Sequence, residues 1–118
     1  MRLTVTPETF PLAEVFTISR GSKTSADVLT VRIEDAGVQG WGECVPYARY
    51  GETLASVTAE IEGLPERFRR DDLFDLLPAG AARNAVDCAL WDLEAKRAGK
   101  RVWELLGLAA PGPEITAY

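Results

Sequence analysis

The amino-acid sequence predicts an α+β fold: a three-stranded antiparallel β-meander followed by a helical bundle. Three observations carry that reading. Leu29, Val31 and Ile33 alternate with Thr30, Arg32 and Glu34, the period-2 pattern of a half-buried strand. Asp35-Ala36-Gly37 then supplies turn chemistry before residues 38–45 return as a partner strand. From Thr53 the apolar spacing becomes helical, and Ala81–Ala98 carries one apolar stripe made by Ala82, Val86, Ala89, Leu90 and Leu93.

Taken in order, residues 2–10 form the third strand, which Pro7 confines to a sheet edge because it has no N–H to give a second neighbour. The polar, glycine-containing run Arg20-Gly21-Ser22-Lys23-Thr24-Ser25 reads as a loop between that strand and the hairpin. A second loop, Pro46-Tyr47-Ala48-Arg49-Tyr50-Gly51-Glu52, follows the hairpin, so both loops flank the same pair of strands near one end of the sheet. Leu54, Val57, Ile61 and Leu64 make a helix with Thr53 as its N-cap and a break at Gly63-Leu64-Pro65. Residues 72–77 form a short helix before Pro78. The long helix has Asp92 and Lys96 paired one turn apart and stops at Gly99. A one-turn helix over residues 102–106 ends at Gly107. Ala109-Ala110-Pro111-Gly112-Pro113 is linker-like, and residues 114–118 read as the opening strand of a second domain.

Composition narrows the function. The 118 residues are 47% apolar and 26% charged, which fits one globular domain and excludes disordered, collagen-like and disulfide-stapled classes. The chain contains no histidine, which excludes histidine acid/base chemistry, Ser-His-Asp and Cys-His nucleophiles and histidine-ligated metals for these residues. A net charge of −5 argues against nucleic acid and anionic membrane surfaces as partners. No apolar run reaches the ~18–20 residues that span a bilayer, and residues 1–12 lack the apolar core of a signal peptide. The expected location is therefore cytoplasmic, with Cys44 and Cys88 as reduced, buried thiols.

Arg20, Lys23 and Arg49 are candidate cations for a ligand carboxylate, the alternative being plain solvation. Tyr47 and Tyr50 either wall a small-molecule pocket or pack over the sheet edge. Glu43 would act as a base if desolvated, or else accept structural hydrogen bonds. Asp87 and Asp92 read as structural or solvated, and Trp91 and Trp103 as core anchors. No trio of carboxylates suggests a hard-metal site, and neither common spacing of a glycine-rich phosphate cradle is present. No catalytic residue and no metal ligand is assigned.

Three segments carry a family resemblance: Arg20-Gly21-Ser22-Lys23, the stretch from Gly40-Trp41-Gly42-Glu43-Cys44 through Pro46-Tyr47-Ala48-Arg49-Tyr50-Gly51-Glu52, and the helix Ala79-Gly80-Ala81-Ala82-Arg83-Asn84-Ala85-Val86-Asp87-Cys88-Ala89-Leu90-Trp91-Asp92-Leu93. Together they resemble the N-terminal capping domain of dipeptide epimerases of the alanyl-glutamate type, in the muconate lactonizing enzyme subgroup of the enolase superfamily. The resemblance implies a capping domain at residues 1–110. Residues 111–118 would be the linker and first strand of a (β/α)8 barrel that this chain does not contain.

In that family the barrel moves the proton α to a carboxylate and holds Mg2+, so the resemblance implies Mg2+ in a full-length parent and no cofactor or turnover in this chain alone. It matches Arg20 to Thr24 to a first specificity loop and Tyr47 to Glu52 to a second, with Arg20, Ser22, Lys23, Thr24, Tyr47, Arg49 and Tyr50 as the substrate-binding residues. Lys23 stands where the family more often has arginine, a point charge in place of a bidentate fork. The implied partners are a dipeptide and the chain's own barrel. An uncovered barrel-facing surface would also favour homo-oligomers. The other readings are the capping domain of a cycloisomerase, racemase or dehydratase-like relative, and a stand-alone small-anion binding module.

Overall fold

The structure, a computed structural model, describes residues 1–113. Three antiparallel strands, β1 (Arg2–Ile18), β2 (Gly21–Asp35) and β3 (Val38–Cys44), lie in the order β1-β2-β3. Four helices follow: α1 (Leu54–Glu62), α2 (Leu73–Leu76), α3 (Ala81–Ala98) and α4 (Val102–Leu105). A 3-10 turn at Ala48–Tyr50 precedes α1, and another at Arg70–Asp72 leads into α2.

Residues 20–25, expected as a loop, are instead the tip of a long β-ribbon. Ile18 pairs with Gly21 and Phe16 with Lys23 across a turn at Ser19-Arg20. Polarity suggested a loop because both faces of this ribbon meet solvent. Ladder hydrogen bonds need only backbone, and Gly21 at φ 140° opens the return strand. The register slips between Pro11 and Phe16, so that residues 12–15 bulge out of the ladder just past a residue with no N–H to donate. Pro7 sits, as expected, on an edge strand.

One face of the sheet is covered by helices. Leu29, Val31 and Ile33 are fully buried against Val57 and Ile61 of α1 and the Ala82, Ala85, Val86, Ala89, Leu90 and Leu93 stripe of α3. Thr53 caps α1 as expected: its hydroxyl accepts the Ser56 N–H at 3.0 Å while the Ser56 hydroxyl accepts the Thr53 N–H at 3.0 Å. Gly99, in the left-handed region at φ 61°, ends α3. Asp92 accepts from Lys96 at 2.6 Å and from the Trp41 backbone N–H at 2.8 Å, tying α3 to β3.

The closest approach in the fold is β3 across α3. A Cβ at Gly40 would lie 2.1 Å from the Ala89 carbonyl oxygen, and one at Gly42 would lie 2.0 Å from that of Ala85. Glycine on the strand facing alanine on the helix brings the two backbones together. Small residues therefore own the sheet-facing side of α3, and its tryptophan is displaced.

That displacement corrects one expectation. Trp91 and Trp103 are half-buried at the margins of the molecule and not core anchors. The Arg70 guanidinium covers the Trp91 ring at 3.7 Å from its centroid, a cation–π contact. Cys88 is likewise not buried: it shares the solvent face of α3 with Asn84. Cys44 is buried, and burial, with the nearby Glu52 and Glu43 carboxylates, pushes its thiol up to about 11. Glu43 is exposed on the open face of β3, neither desolvated nor hydrogen-bonded among the described residues. The strand expected over residues 114–118 lies outside the described residues.

Candidate functional site

The ribbon tip and the segment after β3 meet at one end of the sheet. Arg20, in the β1–β2 turn, donates from Nη2 to the Tyr47 hydroxyl at 3.1 Å and so joins the two predicted loops directly. Ser22 Oγ lies 2.9 Å from Thr17 Oγ1 across the ribbon, which holds the tip flat. Tyr47 stacks obliquely on Tyr50, with ring centroids 5.5 Å apart and planes inclined at 42°.

Two adjoining cavities open here. The smaller, about 400 Å3, is lined by Phe16, Ile18, Arg20, Ser22, Lys23, Tyr47 and Arg49 among others. The larger, about 780 Å3, shares Phe16, Ser22 and Lys23 and adds Thr24, Leu12, Val45 and Leu54, with Glu14, Asp27 and Glu52 as its acidic members. The charge is thus divided. Among the described residues three cations and no carboxylate face the smaller cavity, whereas Lys23 is the one cation lining the larger. Among the described residues neither Lys23 nor Arg49 is engaged in an ion pair. Phe16 and Ile18, lining the same cavity as three cations that make no ion pair among the described residues, suit a small ligand with one anionic end, since partial drying strengthens a charge-assisted hydrogen bond.

Six of the seven sequence-predicted residues therefore line these cavities. Tyr50 does not: it is 76% exposed, lines neither cavity, and supports the Tyr47 ring from outside.

Glu52, which the sequence reading placed in the second loop without a role, is drawn into the site by the fold. The Glu52 carboxylate accepts the Tyr47 backbone N–H at 2.9 Å through Oε2 and the Ala81 backbone N–H at 2.8 Å through Oε1. Its signal in the sequence is indirect: the residue before α3, Gly80, has no side chain to cap that helix, so the acceptor must come from elsewhere.

The chain as a whole matches known proteins. The mandelate racemase / muconate lactonizing enzyme N-terminal domain aligns with residues 1–107. The chain belongs to that domain family. Over 114 residues it is 48% identical to the L-Ala-D/L-Glu epimerase of Escherichia coli strain K12, a match covering 93% of this chain and 36% of that protein.

An enolase family member from Agrobacterium tumefaciens with homology to dipeptide epimerases, solved with sodium and L-Ala-L-Glu bound, superposes with a TM-score of 0.85 at 53% identity. That match covers 92% of this chain and 35% of the other. The dipeptide epimerase from Methylococcus capsulatus, solved with Mg and L-Arg-D-Lys, superposes at 0.78 with 34% identity, covering 90% of this chain and 34% of its own.

The mandelate racemase / muconate lactonizing N-terminal domain seen here thus spans about a third of each relative. Among the described residues no three acidic or cysteine side chains come together in a way that could hold one. No helix among them is long and apolar enough to cross a membrane.

Proposed function

We propose that this chain is the capping and substrate-specificity domain of a Mg-dependent dipeptide epimerase that accepts dipeptides of the Ala-Glu type. Residues 1–110 form the cap, and residues 111–118 lead into a catalytic (β/α)8 barrel. The observation that carries the proposal is the convergence of Arg20, Lys23 and Arg49 on one cavity where the ribbon tip meets the Tyr47 segment. A carboxylate at the far end of a dipeptide is the ligand group those cations fit.

The cap binds and shields. Lys23, between the two cavities, takes the ligand's side-chain carboxylate, with Ser22 and Thr24 as polar neighbours. Tyr47 and Phe16 wall the ligand, and Arg20 holds Tyr47 in place. Closing these groups over a barrel mouth excludes water and strengthens the electrostatics of the reacting centre. Proton transfer α to the carboxylate, and the Mg2+ that stabilises the resulting enolate, belong to barrel residues and not to this chain.

Exposed Phe74, Leu76, Leu106 and Leu108 support docking against such a barrel, and without it they favour self-association of the chain. A cytoplasmic location completes the proposal.

The test is a dipeptide panel with the protein encoded by the complete reading frame and Mg2+. Ala-Glu should exceed Ala-Leu in kcat/KM by about tenfold or more, the effect of at least one charge-assisted contact. Equal turnover of acidic and apolar dipeptides would contradict the assignment of the cationic cavity.

A further inference from the structure

We infer that Glu52 is a positioning residue that sets the placement of Tyr47, and through it the wall of the substrate cavity. The segment 47–52 is closed by a two-way clasp. The Glu52 N–H donates to the Tyr47 carbonyl at 3.3 Å, while the Tyr47 N–H donates to Glu52 Oε2 at 2.9 Å. Inside the clasp, Tyr50 N–H reaches the Tyr47 carbonyl at 2.9 Å, and Gly51 turns the chain at φ 77°.

The second carboxylate oxygen anchors the closed segment to the framework. Oε1 accepts the Ala81 N–H, the first N–H of the 18-residue helix α3, at 2.8 Å. Gly80 leaves the room for this, because a Cβ there would lie 2.9 Å from Oε1. The helix start has an unused N–H and a positive dipole end, so it is a strong and stationary anchor for a carboxylate. Glu52 therefore transmits the fixed position of α3 to Tyr47 and, through the Arg20–Tyr47 hydrogen bond, to the ribbon tip.

A single carboxylate spanning two backbone donors explains the residue type. Glutamine offers one acceptor oxygen and satisfies one donor, aspartate is one methylene short, and alanine satisfies neither. Without the carboxylate the turn keeps its backbone hydrogen bonds but loses its tie to α3, and the Tyr47 wall loses its register with Lys23 and Arg49.

Two measurements test this, and only the second rests on the epimerase reading. In the 118-residue chain, Glu52→Ala should raise amide hydrogen exchange at Tyr47 and Ala81 by about tenfold or more and leave the central strand β2 unchanged. Unchanged exchange at Tyr47 would overturn the clasp whatever the parent protein does. In the full-length enzyme, Glu52→Ala should raise KM for an acidic dipeptide by about tenfold with kcat within about twofold, and Glu52→Gln should recover part of that loss.

A purely structural role would lower the melting temperature and the active fraction but leave KM where it was, and that outcome would overturn the inference. A wild-type parent with no dipeptide turnover would instead refute the epimerase reading, leaving the exchange result to decide the role of Glu52.

Discussion

Gly42→Ala should strongly destabilise this domain. The added Cβ would lie 2.0 Å from the Ala85 carbonyl oxygen and 2.9 Å from the Ala89 N, both backbone atoms of α3 that no rotamer change can move. Relief requires α3 to withdraw from β3, which would open the contact made by Val31, Val86, Ala89 and Leu93, all buried to within 2%. Overpacking a close-fitted core costs about 1–3 kcal/mol when side chains can give way, and more when backbone must. The total stability of a domain this size is about 5–15 kcal/mol.

We expect a loss of 3 kcal/mol or more, roughly a 10 °C drop or greater in Tm by circular dichroism. Gly40→Ala should behave similarly, since its Cβ would meet the Ala89 oxygen at 2.1 Å. A Gly42→Ala chain that melts within a degree or two of wild type would show that the β3–α3 approach is looser than described.

Lys23→Ala in the full-length enzyme should produce the largest functional effect of any single cavity substitution. Lys23 lines both cavities and makes no ion pair among the described residues, so its charge is free for a ligand. Losing a charged hydrogen bond in a site that closes dry costs about 2–3 kcal/mol, or about 30–150-fold. The drop in kcat/KM should fall on Ala-Glu, and Ala-Leu should change by less than threefold.

Lys23→Arg should keep the acidic preference, because the guanidinium carries the same charge with a wider fork. Parallel kinetics on the two dipeptides check this. A uniform loss on both would mean that Lys23 shapes the cavity without reading the carboxylate.

Much of the fold was legible because the helix signals and the β2–β3 hairpin are local. Thr53 with Ser56, the Ala82 to Leu93 stripe and Gly99 each state their role within a few residues, and each takes it. The ribbon tip was misread because strand pairing between two polar segments leaves no hydrophobic alternation to detect. Trp91 was misread because its exclusion from the core follows from Gly40 and Gly42 on a different element, a contact that no local pattern encodes.

The site divided in the same way. Arg20, Lys23 and Arg49 were legible as candidate cations in two short segments, and the fold brings all three to the lining of one cavity. The Arg20–Tyr47 bond and the reach of Glu52 to Ala81 span 27 and 29 residues, so only the folded chain reveals them.

On the proposed reading this domain recognises and covers a dipeptide while the proton-moving groups lie in a barrel. Deuterium incorporation at the dipeptide α-carbon, followed by proton NMR in D2O with Ala-Glu and Mg2+, tests it most directly when the 118-residue chain and the full-length protein are run side by side. Steady exchange is expected with the full-length protein and none above background with the shorter chain. Exchange catalysed by the 118 residues alone, or none by the full-length protein on any acidic dipeptide, would contradict that reading.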